Sequence, residues 1–197
     1  MGRNGKVDIR NLENFQKELQ KSLSGKELDL FIESCAKAIA RRLLEKVIPR
    51  TPVGVKPKLE GKKTYKVKGA SGKSRSFLTA DAARIQQYWS GYHGGTLRRG
   101  WTNGKDVKAE EFAESLNIHR SSGMYKITIV NNVEYASYVE WGHRQTPGRY
   151  VPALGKRLKQ GWVKGKKMLT ISEDEVRREA PKALENKLKK KLGEIFK

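Results

Sequence analysis

Apolar positions recur at helical spacing in two long stretches of this 197-residue chain. From Leu28 onward, Phe31, Ile32, Cys35, Ile39, Leu43 and Val47 return to one face of a helix, and Pro49 closes the run. Ser24 with Glu27 fits a capping box, so this helix is predicted to begin at Ser24-Gly25. A shorter helical face precedes it, starting near Leu12 and carrying Phe15, Leu19 and Leu23. At the far end Val176, Ala180, Leu184, Leu188, Leu192 and Ile195 share a second long face. Ser172 with Glu175 is its expected cap, and Pro181 is expected to kink or divide it. On the opposite face Lys187, Lys189, Lys190 and Lys191 are solvated or bind something acidic.

The middle of the chain switches period. Pro52 biases Thr51 away from helix and Gly54 permits a turn. From Lys56 to Ser76 the composition is lysine, glycine and serine, with Tyr65 and Val67 alternating, which reads as a hairpin or arm. Thr79 to Trp89 reads as a short capped helix ended by Gly91. Strands are expected at Thr96 to Thr102, at Phe112 to His119 and at Met124 to Val130, the last two joined by a turn at Ser121-Ser122-Gly123. The predicted class is α+β, a small antiparallel sheet of about four strands packed against a long N-terminal helix and a long C-terminal helix. No internal repeat is visible.

Charge changes the picture most. Basic residues number 42 against 21 acidic, a formal net charge of +21, and such a surplus favours polyanions or acidic protein surfaces. The span 56–75 holds eight basic residues against Glu60 alone, and 142–172 holds eight with no acid. Lys56, Lys58, Lys62, Lys63, Lys66 and Lys68 in the first run, and Lys164, Lys166 and Lys167 in the second, are the candidates to face an interface or a polyanion. Acids gather instead at Glu110, Glu111 and Glu114 and at Glu173, Asp174 and Glu175, and separated blocks of opposite sign suit head-to-tail contacts between identical subunits. Two solvated basic loops are the plainer alternative. A single cysteine, Cys35, excludes an intrachain disulfide or a cysteine zinc site and is expected to act as a small buried hydrophobe. No apolar run reaches the roughly 18 residues of a membrane span and no signal-peptide segment is seen, so a cytoplasmic origin without a membrane is expected.

One candidate for chemistry stands out, the run YASYVEWGHR from Tyr135 to Arg144. Glu140 with His143 has the Glu-x-x-His spacing of some metal sites, but those need two such pairs and two further glutamates. No Gly-x-Ser-x-Gly, Walker or Cys-His arrangement occurs. No cofactor and no catalytic residue is assigned. The structural reading explains more: Tyr135, Tyr138 and Trp141 share a face of a short helix with Ala136 and Val139 close behind, and Gly142 stops it. Glu140 is then partly buried and needs a donor, with Arg98 or Arg99 as the leading guanidinium partners.

Taken in order, TPVG (51–54), GGTLRRGW (94–101), YASYVEWGHR, PGRYV (147–151) and WVKGKKML (162–169) resemble the gene-product-ten-like tail-component family of long-tailed bacteriophages and contractile phage-tail-like particles. The resemblance carries a structural motif made of Thr51, Pro52, Leu97, Arg98, Arg99, Trp101, Tyr135, Ala136, Tyr138, Glu140, Gly142 and His143. It implies one tail-completion domain over residues 1–197, with 55–93 an inserted basic arm and short helix where the family runs almost directly from Thr-Pro-Val to Thr-Gly-x-Leu-Arg. It also implies a structural neck or collar protein, without enzymatic activity, that joins head to tail. Such proteins form a ring, usually sixfold, at the head-proximal end of the tail. The implied partners are the ring itself, the tail terminator, tube or sheath, and head connector proteins, with DNA touched only in passing. The virion or tail-like particle is the implied location, reached by assembly in the bacterial cytoplasm. The alternatives are a nucleic-acid-binding protein using its basic surface, and a nuclease or toxin using Glu140 and His143.

Overall fold

The computed structural model describes residues 25–57, 64–69, 72–121 and 124–195. In chain order the elements are α1 (Lys26–Arg50), β1 (Thr64–Lys68), β2 (Ser74–Leu78), α2 (Ala80–Tyr88), α3 (Thr96–Arg99) with a 3-10 turn at Gly100–Thr102, and α4 (Ala109–Glu114). There follow β3 (His119–Ser121), β4 (Met124–Lys126), α5 (Ala136–Trp141), β5 (Gly142–Arg144), β6 (Tyr150–Val151), β7 (Lys156–Arg157), β8 (Trp162–Lys164) and α6 (Met168–Ile195). The class is α+β, as the periodicity indicates. The predicted helix near Leu12 to Leu23, the capping residue Ser24, the tip of the basic arm with Lys58, Lys62 and Lys63, and the turn at Ser122-Gly123 lie outside the described residues.

The chain folds as two compact units. In unit 1 (α1 to Val47, then 106–130 and the chain from Thr170), Ala40, Leu44, Val47, Phe112, Ala113 and Val176 are buried. Val47 and Val176 come from the predicted stripes, whereas Ala40 and Leu44 lie one position beside the first, Leu188 of the second is exposed, and Phe112 and Ala113 belong to α4; removing the buried residues from water is the main stabilising term. Around them polar ties fix the elements. Asp29 accepts from both the Arg120 guanidinium and the Tyr125 hydroxyl, and this bond pushes the Tyr125 pKa up. Lys46 reaches Glu175 at 3.4 Å and Glu179 at 2.9 Å, and Lys187 donates to the Ser34 carbonyl at 2.5 Å. Lys187 is thus spent inside the chain. Cys35 is partly buried, and burial raises its thiol pKa.

Unit 2 (48–105 and 131–169) holds a second core of Thr51, Ala82, Ile85, Leu97, Trp101, Thr102 and Met168, all at most 5 % exposed. Its α2 begins as predicted, with the Thr79 hydroxyl accepting from Ala82 N–H at 3.4 Å, and Gly91 takes a left-handed φ of 69° just beyond it. The basic arm is an antiparallel hairpin in which Tyr65 faces Phe77 and Val67 faces Arg75.

Five expectations are corrected. The strands do not form one sheet; they pair as four separate two-stranded antiparallel ladders, β1-β2, β3-β4, β5-β8 and β6-β7. Thr96 to Thr102 is not a strand but α3 followed by the 3-10 turn, with Gly95 at φ 76° as N-cap and Gly100 as its C-cap. Phe112 to His119 is not a strand either, because Phe112 lies in α4, where Glu110 and Glu111 place acids in the first turn against the helix dipole. From Met124 only three residues pair; Ile127 and Ile129 continue the in-out alternation without a ladder. Finally α6 starts at Met168, ahead of Ser172, and runs through Pro181 undivided.

Candidate interaction surface

Unit 2 gathers most of the motif residues, and their geometry starts at Thr51. The Trp101 indole N–H donates to the Thr51 hydroxyl at 2.8 Å, both groups being buried. Arg98 donates Nε to the Thr51 carbonyl at 2.7 Å and Nη2 to the Pro49 carbonyl at 3.1 Å. Asn131 completes the knot by donating to the Leu97 carbonyl at 2.8 Å. A side chain at Gly100 would strike Asn131, with Val133 Cγ2 only 2.8 Å away, so the two segments meet through the bare glycine. Thr51 and Leu97 therefore share a neighbourhood although residues 55–93 separate them. The intervening segment is closed at its base, where the Tyr92 hydroxyl donates to the Gly54 carbonyl at 3.2 Å. Trp89 ties it down elsewhere, donating to the Ala153 carbonyl at 2.7 Å and meeting the Tyr92 ring edge-on at 4.6 Å.

The second part of the site is the turn after α5. Gly142 sits at φ 93°, ψ 173°, a conformation open essentially to glycine, and this lets the chain leave the helix straight into β5. Glu140 is 6 % exposed, and its Oε2 accepts the Leu169 backbone N–H at 2.9 Å. That N–H belongs to the first turn of α6, where no intrahelical acceptor exists. The expected clasp from Arg98 is corrected accordingly: its guanidinium serves the Thr51 and Pro49 carbonyls, while Arg99 reaches back toward Gly95. The backbone reinforces the junction, Lys166 N–H bonding Val139 O at 2.7 Å and Lys167 N–H bonding Glu140 O at 3.1 Å. His143 is set by β5 opposite Val163, its ring 5.8 Å from that of Tyr138.

What α5 offers outward is aromatic. Tyr135, Tyr138 and Trp141 share a face as their spacing predicts, and that face is exposed, with Trp162 of β8 exposed beside Arg144 of β5. Lys167 lies 3.5 Å above the Trp141 ring, a cation–π contact, whereas Lys164 and Lys166 extend into solvent. Lys66 and Lys68 are exposed on β1, and Lys56 on the segment before it. The sequence segments of unit 2 carry 21 basic and only 4 acidic residues, so nearly all of the chain's net charge resides there. Ala136 is half-buried behind the aromatic face and Pro52 half-buried beside Thr51.

Sequence reasoning passed over Asn131, Arg144 and Arg149. Asn131 has no local signature, since its partner lies 34 residues away. The two arginines did carry one: they flank the Pro147-Gly148 turn inside the acid-free run. Among the described residues no group of His, Cys, Asp and Glu is arranged to hold a metal ion.

Compared with models of known families, residues 13–142 match the one described as "Bacteriophage HK97-gp10, putative tail-component". The match takes in the Thr51, Leu97 and Glu140 motifs and stops ahead of Pro147 and Trp162. The chain matches no curated protein and no solved structure.

Proposed function

We propose that this chain, which belongs to the HK97-gp10-like family of bacteriophage tail components, is a structural collar protein that completes the head-proximal end of the tail and joins it to the head as a ring, sixfold by the family pattern. The observation that carries the reading is that two of the motifs meet in one knot, Thr51 with Arg98 and Trp101, while α5, which bears a third, turns an aromatic face outward. Tyrosine, tryptophan and arginine are the side chains that anchor protein–protein interfaces. Its partners are further copies of itself, the tail terminator, the tube or sheath and the head connector. It assembles in the bacterial cytoplasm. The inserted segment 55–93, closed at its base, presents the lysine-bearing hairpin to a partner particular to this protein.

Electron microscopy of particles made with and without the chain tests this. The expected result is a symmetric ring at the upper end of the tail, and tails with defective upper ends when the chain is missing. Purified particles that lack the chain in the wild type would overturn it. A second reading, nucleic-acid binding, is favoured by the concentration of positive charge in unit 2. It requires binding to duplex DNA that falls steeply as salt rises and still exceeds non-specific attraction.

A further inference from the structure

Unit 2 contains an open groove of about 470 Å³ beside the β6-β7 hairpin. Arg144 and Arg149 line it, and neither guanidinium is paired with any described residue, although neighbouring Arg157 is held by the Gly148 carbonyl at 2.7 Å. His143 also lines it, and its Nδ1 is the one buried side-chain polar atom among the described residues left without a hydrogen-bond partner. Gln145, Thr146 and Tyr150 add polar lining, and Val151, Pro152, Leu154 and Leu158 supply its apolar part.

We infer that this groove docks an acidic, partly apolar segment of another tail protein, a carboxylate lying between Arg144 and Arg149 and its apolar neighbours against Val151, Leu154 and Leu158. Paired N–H donors on each guanidinium suit a planar carboxylate. Much of the chain's own acidic surface is engaged at home, Glu110 with Arg41, Glu114 with Lys37, Glu173 with Arg177 and Glu175 with Lys46, which favours a segment of another protein over a second copy as the occupant. The apolar side separates the occupant from nucleic acid, since duplex DNA presents phosphates but nothing to cover leucines. Only the choice of a tail protein as the source of the segment rests on the collar reading.

The test is a fluorescence-anisotropy titration of the full chain with a short labelled peptide alternating aspartate or glutamate with leucine, with its asparagine and glutamine counterpart, and with a duplex DNA oligomer of similar charge. Arg144→Glu/Arg149→Glu is compared with Lys105→Glu/Lys108→Glu, which makes the same charge change at two exposed lysines outside the groove. Thermal unfolding first shows that both variants fold. The acidic peptide is expected to bind at least about tenfold more weakly to the groove variant than to wild type, and to change less than about threefold with the Lys105/Lys108 variant. Equal losses in both variants, or equal binding of the uncharged peptide, would overturn the inference. A groove variant that loses duplex DNA as strongly as peptide would also overturn it and reassign the site to phosphates. Because these titrations use no particles, their failure is distinct from absence of the chain from purified tails, which would instead remove the collar reading.

Discussion

At the scale of single residues, Glu140 shows how a carboxylate in an aromatic run becomes structural. It is buried, it accepts an N–H from the first turn of α6, and negative charge at that end of a helix is favoured by the macrodipole. Glu140→Ala removes the acceptor from a buried N–H and is expected to lower stability by roughly 2–4 kcal/mol, read from the urea midpoint at constant m-value. Glu140→Gln keeps an oxygen within reach and should lose less than half as much. Were Glu140 a reacting group, both variants would instead fold like wild type and lose an activity. Its burial was legible from the spacing of Tyr135, Tyr138 and Trp141. The Leu169 N–H was not, because a backbone group at a distance of 29 residues has no side-chain signature, and sequence reasoning turned to the two arginines before Trp101. Those arginines had prior engagements: Arg98 holds the carbonyls that fix Thr51, which only a folded backbone reveals.

The elements tell the same story at the next scale up. Both long helices were readable from apolar spacing, and α2 from its Thr79 cap, since these signals are local. Thr96 to Thr102 misled because its β-branched and aromatic composition favours a strand, whereas Gly94 and Gly95, both at positive φ, turn the chain so that side-chain bonds to Thr51 can wind it into α3. In α4 the run of good helix formers around Phe112 outweighed the apparent alternation. The start of α6 was placed late because Glu140, far away in sequence, supplies an acceptor that no local cap announces. Gly142 is the hinge on which this depends. A Cβ there would overlap the Val163 carbonyl and come within 2.8 Å of the Gly165 nitrogen, and the φ of 93° would be strained besides. Gly142→Ala is expected to lower stability by roughly 2–4 kcal/mol, with the loss visible in the same unfolding measurement. Deleting the hairpin between Gly61 and Leu78 and bridging it with glycine and serine should leave stability unchanged. The closure of the segment at Gly54 and Tyr92 stays, so the thermal midpoint should hold while incorporation into tails falls; loss of folding would show that the hairpin belongs to the core.

For the molecule as a whole, the decisive feature is that charge is compensated in one unit and not in the other. Lys37, Arg41, Lys46, Arg120 and Arg177 of unit 1 all meet carboxylates, most of them exposed pairs worth at most about 1 kcal/mol each. In unit 2 the described lysines on β1 and β8 reach into solvent, and one of the few acids, Glu140, is turned inward. A surface of one sign repels itself, and simple salt screens that repulsion over a Debye length of about 10 Å at 0.1 M. Sodium chloride therefore acts in opposite senses on the two units, weakening exposed ion pairs in the first and relieving repulsion in the second. The second effect should win, since exposed pairs contribute little and the uncompensated charge is large. The thermal midpoint is expected to rise by several degrees between about 0.02 and 0.5 M sodium chloride, while association with purified tails weakens over the same range. A midpoint that falls with salt would mean that the ion pairs of unit 1 outweigh the repulsion in unit 2. Association that ignores salt would mean that the docking contact is apolar, and that the positive charge of unit 2 is directed at something other than the tail.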